Sequence, residues 1–150
     1  METKMTQITI ETKQKMIYFY QLISAVKARG RQSRAITKFG KLLTEKLGEL
    51  QDDEKELIAQ YYEVNDDGNA KKDDEGNLVL RDGTILEDYD AEWNDLHAES
   101  VVINMTEYQP HLTHLTTCLL DWDQELSGVD AVIYNELLDL LEGIENKNAE

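Results

Sequence analysis

The chain has 150 residues, 41% of them hydrophobic and 31% charged, with a formal net charge of −16. That length suits one compact domain with a real core and a well-solvated surface. It excludes several classes: no apolar run approaches the roughly 20 residues that cross a bilayer, a net negative charge opposes binding to nucleic-acid backbones and anionic membranes, and a lone Cys118 permits neither an internal disulfide nor a Cys-based zinc module.

The charge is unevenly spread. Residues 1–46 hold ten Lys/Arg against the three acids Glu2, Glu11 and Glu45, a balance of +7. Residues 47–150 hold five bases against 28 acids, a balance of −23. The run Lys27-Ala-Arg-Gly-Arg-Gln-Ser-Arg-Ala-Ile-Thr-Lys-Phe-Gly-Lys41 contains no acid at all.

In chain order, residues 1–4 lead into an alternating segment rather than an apolar signal core, the pattern expected of an uncleaved intracellular protein. Gln7-Ile-Thr-Ile10 alternates as a short strand does. Thr12 can cap a helix carrying Met16, Phe19, Tyr20, Ile23 and Val26 on its apolar side. Gly30 can end that helix, and Ser33 can cap the next. Ile36, Phe39, Leu43, Leu47, Leu50, Leu57 and Tyr61 then mark one stripe of a long helix, which Gly40 and Gly48 weaken without ending.

Residues 65–100 read as an acidic loop and hairpin region inside the single domain. Leu78-Val-Leu80 and Thr84-Ile-Leu86 flank Arg-Asp-Gly83, a hairpin signal. Tyr89, Trp93 and Leu96 suggest a short helix, and Ser100-Val-Val-Ile-Asn104 a strand able to pair with residues 7–10. Pro110 suits a helix first turn, followed by the stripe Leu112, Leu115, Leu119, Trp122 and Leu126. After Ser127-Gly128 comes a final helix with Val129, Ile133, Leu137, Leu140, Leu141 and Ile144 inside, fraying over residues 146–150. No internal repeat stands out. The expected fold class is α+β and mostly helical, a helical bundle with a small sheet or hairpin.

Three stretches imitate chemical sites. Glu63, Asn65, Asp67 and Gly68 approximate a calcium loop, but Glu stands where the loop needs Asp, Asp74 where it needs a bidentate Glu, and Lys71 intrudes. His111, His114 and Cys118 share a helical face, yet zinc normally takes four ligands from more than one element. Asp121-Trp-Asp123-Gln-Glu125 pairs carboxylates without a nucleophile or convergent base nearby. An acidic loop, a small hydrophobic cysteine and a solvated face account for them. With no phosphate-binding glycine loop, nucleophile elbow or dinucleotide fingerprint, the expectation is a protein that is not an enzyme and has neither cofactor nor metal.

Two stretches carry a family resemblance. One is Gly30-Arg-Gln-Ser-Arg34 with Thr37-Lys-Phe39, Lys41-Leu-Leu43 and Glu54-Lys-Glu-Leu-Ile58. The other is Leu126-Ser-Gly128 with Ala131, Tyr134 and Asn135-Glu-Leu137. Together they resemble an uncharacterised family of small accessory proteins from tailed phages and prophages of Gram-positive bacteria. The resemblance implies a phage origin, synthesis in the host cytoplasm and an accessory role, with no activity to transfer to particular residues.

The leading expectation is a non-enzymatic protein that binds another protein, as an acidic inhibitor of a bacterial host or defence factor. Carboxylates on rigid elements can stand where a nucleic-acid-binding partner expects phosphates, giving fast, salt-sensitive association. The acids expected to do this are Asp66, Asp67, Asp73, Asp74, Glu87, Asp88, Asp90 and Asp95. The alternative is a virion or tail-module assembly protein binding other phage proteins through apolar helix faces. The basic residues Arg29, Arg31, Arg34, Lys38 and Lys41 either neutralise the acidic part, within the fold or a homodimer, or form a contact patch. Exposed charge pairs contribute only ~0–1 kcal/mol each.

Overall fold

The computed structural model describes residues 6–149, with the side chains of α5 described as far as Ile144. The reading of residues 1–4 and the last position of the frayed end lie outside the described residues. The element order is β1 (Gln7–Ile10), α1 (Lys13–Ala25), α2 (Arg31–Tyr61), α3 (Leu86–Ala98), β2 (Val101–Asn104), α4 (Gln109–Leu120) and α5 (Gly128–Ala149). The fold is α+β and mostly helical, as the patterning predicts. The chain divides into two compact units. One joins the stretch up to Lys46 to the stretch from Ser100 onward, and the other is Leu47–Glu99.

In the first unit, β1 and β2 pair antiparallel from Gln7↔Asn104 to Ile10↔Val101. Alternation sends Ile8, Ile10 and Ile103 into the core and leaves Gln7, Thr9 and Asn104 exposed. Thr12 caps α1, its side-chain oxygen accepting from the Lys15 amide at 3.2 Å. Met16, Phe19, Leu22 and Ile23 form the buried face of α1, while Tyr20 lies at its exposed margin. Phe39 and Leu43 of α2, Leu112, Leu115 and Leu119 of α4, and Leu137, Leu141 and Ile144 of α5 complete the core.

Several boundaries differ from the sequence reading. α1 ends at Ala25, where the Val26 amide turns back to the Ile23 carbonyl, so Gly30 does not close it. Gly30, at φ +59°, instead begins α2, its carbonyl accepting from the Arg34 amide at 3.0 Å. Ser33 therefore lies inside α2 rather than capping it. α4 stops at Leu120, which leaves Trp122 and Leu126 outside its stripe, and Val129 in the first turn of α5 is exposed. α5 continues to Ala149, past the point where fraying is expected.

In the second unit, the expected hairpin between residues 78–80 and 84–86 does not form. Tyr62 bridges Leu80, Val64 bridges Ala70, and Lys72 bridges Leu78. The Glu63 amide donates to the Val79 carbonyl at 2.8 Å, Lys71 to Glu63 at 2.8 Å, and Val79 to Lys71 at 3.2 Å. These three residues stand eight positions apart, so three short extended segments close into a ring of hydrogen bonds. The repeat missed in the sequence is Asn65-Asp-Asp-Gly-Asn69 and Asp73-Asp-Glu-Gly-Asn77, with Gly68 and Gly76 at φ +84° and +85°. Only glycine reaches that region without strain, which fixes both turns. The third turn, Arg81-Asp-Gly-Thr84, leads into α3 instead of a strand. Its residues satisfy the end of α2: the Arg81 amide donates to the Tyr61 carbonyl at 2.8 Å and Arg81 Nε to the Ala59 carbonyl at 2.7 Å. A guanidinium on the last carbonyls of a helix suits both their lone pairs and the helix dipole.

Candidate functional site

The second unit contains eighteen Asp/Glu against four Lys/Arg, a net of −14, which leaves −2 for the rest of the chain. All eight acids expected to contact a partner lie in this unit and are exposed. Asp66 and Asp67 occupy its first glycine turn, and Asp73 and Asp74 begin the second. The Asp73 carboxylate accepts from the amides of Glu75 at 2.9 Å and Asn77 at 3.0 Å, which holds the second turn rigid. Glu87 and Asp88 stand in the first turn of α3, where carboxylates favour the helix dipole, and Asp90 and Asp95 follow.

Within this unit, α2 and α3 enclose a groove of about 330 Å³. Asp53, Glu56, Leu57 and Gln60 line one wall; Glu92, Asp95, Leu96 and Glu99 line the other. Of the eight predicted acids only Asp95 reaches it. Asp53, Glu56, Glu92 and Glu99 are acids that the sequence reading left out. Their signal was present: both walls follow the spacing i, i+3, i+4, i+7, with Leu in the third place.

An aromatic cluster positions α3. Tyr89 meets Tyr62 edge-on at 5.0 Å between ring centroids and Tyr61 at 5.7 Å, and Trp93 lies against His97 at 4.4 Å with the rings tilted by 40°. His97 Nδ1 faces the Trp93 carbonyl at 2.8 Å, and its Nε2 faces the buried Glu54 carboxylate at 3.0 Å. Burial holds the Tyr61 and Tyr89 phenols above the usual tyrosine range; a hydrogen bond to Glu92 adds to this at Tyr61.

In the first unit, Arg31, Arg34, Lys38 and Lys41 project from one face of α2, and Arg29 precedes it; all five are exposed. Among the described residues none of the five forms an ion pair. Nor does the helix itself benefit: bases in a first turn oppose the dipole, and α2 has no acid in its first turn and no base in its last. Lys38, Lys41, Leu42 and Glu45 form one side of a cavity of about 650 Å³. Asn104, Thr106, Glu107 and Tyr108 form another, and His111 of α4 closes it. Tyr108 is fixed there by its buried hydroxyl, which donates to the Ala35 carbonyl at 2.6 Å. Desolvation lowers the His111 pKa below the usual range, with Lys38, Arg34 and His114 adding their positive fields.

Cys118 is buried, its thiol donates to the Leu115 carbonyl at 3.3 Å, and burial with the nearby Asp121 pushes its pKa up. The calcium-like stretch is two turns of the hydrogen-bonded ring. Among the described residues no three His, Cys, Asp or Glu side chains are grouped to hold a metal ion, and no helix is long and apolar enough to cross a membrane.

A family model matches residues 6–150. The chain belongs to the family described as "Protein of unknown function (DUF1617)". Neither a curated protein nor a solved structure matches it. The family match spans both units, so the acidic Leu47–Glu99 unit belongs to the family's matched region rather than being an appended segment.

Proposed function

We propose that this member of the family is a non-enzymatic accessory protein of a tailed phage or prophage of a Gram-positive bacterium, acting in the host cytoplasm. It works by binding another protein through the acidic Leu47–Glu99 unit. The partner is a host or defence protein with a basic, nucleic-acid-binding surface, and occupation of that surface inhibits it. One observation carries this reading: 14 of the 16 net negative charges reside in the one unit, and its predicted acids are exposed on helices and glycine-fixed turns. Fixed carboxylates lose little freedom on binding and accelerate encounter with a positive surface. Direct contact with nucleic acid runs against the same charge.

The test is a comparative pull-down from host lysate with the wild-type chain and a variant in which Asp66, Asp67, Asp73 and Asp74 are all Lys. The expected result is a specific protein retained by wild type and lost by the variant. Equal recovery on both would sink the acidic-surface reading. A second reading, assembly with other phage proteins through apolar surface, is supported by Leu120, Val129 and Val132, each more than half exposed. Loss of the captured protein from a Val129→Ser/Val132→Ser variant alone would favour it.

A further inference from the structure

Two of the uncompensated bases of α2, Lys38 and Lys41, line a cavity rather than a flat face. Lys38 and Lys41 share a helix wall of the 650 Å³ cavity with Glu45, while Glu107 and His111 stand on other segments around it. The volume falls within the range of small-molecule sites. Two ammonium groups that form no ion pair stand with two carboxylates in the same lining, and Arg34 and Lys38 both act on His111. The unit around the cavity is close to neutral, at −2, so this mixed lining suits one compact ligand that carries both an anionic group and hydroxyls, not a long polyanion. Glu45 and Glu107 would repel a bare anion beside them, but carboxylates are good acceptors for sugar hydroxyls.

We propose that this cavity binds a small phosphorylated sugar, free or as the ribose phosphate of a nucleotide, with Lys38 and Lys41 on the phosphoryl group and Glu45 and Glu107 accepting from hydroxyls. His111 is the group that senses occupancy. Desolvation first, then the neighbouring Lys38, Arg34 and His114, lower its pKa, and Lys41, Glu45 and Glu107 also line its cavity; it gains a proton more readily once a phosphate dianion offsets the lysine and arginine charges.

The experiment titrates the full chain with inorganic phosphate, ribose 5-phosphate and adenosine monophosphate, by calorimetry and by NMR of the histidine ring protons. Ribose 5-phosphate should bind at least 10-fold more tightly than inorganic phosphate, and the His111 titration should move upward when it is bound. Adenosine monophosphate binding more tightly still would assign the nucleotide form; equal affinity would assign the sugar phosphate. Lys38→Gln/Lys41→Gln should weaken binding at least 10-fold with an unchanged melting temperature, since both side chains are exposed. Glu45→Gln/Glu107→Gln should erase the preference over inorganic phosphate. The proposal is overturned by no binding at millimolar ligand, by inorganic phosphate binding as tightly as the sugar phosphate, or by a lysine variant that folds and binds like wild type.

Discussion

At the scale of single residues, the core rests on a few fully buried side chains. Leu43 and Leu137 are both 0% exposed, and both lie on stripes visible in the sequence. Leu43→Ala and Leu137→Ala should each cost about 2–5 kcal/mol, read from urea midpoints at constant slope. Tyr108 shows what apolar spacing does not reveal. The sequence reading left it out, and nothing local directs its hydroxyl to the Ala35 carbonyl 73 positions away. Desolvation raises its pKa far above the ordinary value of about 10, with Cys118 a lesser cause. Above pH 10 the unfolded chain loses this proton while the folded chain keeps it. The unfolded state then binds fewer protons, and stability falls as pH rises. Tyr108→Phe should flatten that decline in urea melts between pH 9 and pH 11; an unchanged slope would assign the effect to other tyrosines.

At the scale of elements, periodicity was a good guide to faces and a poor one to partners. The stripe of α2 survives Gly40 and Gly48 because a helical glycine costs only about 1 kcal/mol against alanine, less than burying Phe39 and Leu43 gains. Gly48 meets no neighbouring atom within 4 Å, so Gly48→Ala should raise stability by about 0.5–1 kcal/mol, measured as a shifted urea midpoint. The 62–85 region was misread for a specific reason. Three glycine turns follow at eight-residue spacing, and local sequence marks each turn without saying which segments pair across it. Leu80 pairs back to Tyr62, a choice set by the ring of hydrogen bonds and by Arg81 on the end of α2. This unit has a thin core: among its described residues only Tyr62 and Glu54 are buried. Its amides should exchange with deuterium ahead of those in α4 and α5, because local opening there exposes little apolar surface. Protection at Lys71 and Val79 equal to that at Leu115 and Leu141 would show a more cooperative molecule.

At the scale of the whole molecule, the sequence split the charge at residue 46, whereas the fold divides it differently. The ten acids and one base of residues 100–150 join the basic N-terminal stretch in one unit and bring it close to neutrality, leaving the excess charge on Leu47–Glu99. The exposure of the eight acids was legible because it follows from polarity and glycine turns. The acidic groove was harder, since it needs two helices to face one another. The proposed function requires that the excess charge on Leu47–Glu99 speed association with a partner. The direct measurement is the association rate with the captured partner at low and high salt, for wild type and for the Asp66/Asp67/Asp73/Asp74→Lys variant. The Debye length shrinks from about 10 Å at 0.1 M to about 3 Å at 1 M, so wild-type association should slow steeply with salt. The folded variant should bind at least 10-fold more slowly at low salt and respond little to added salt. A variant that associates as fast as wild type, with no salt dependence in either, would contradict the account.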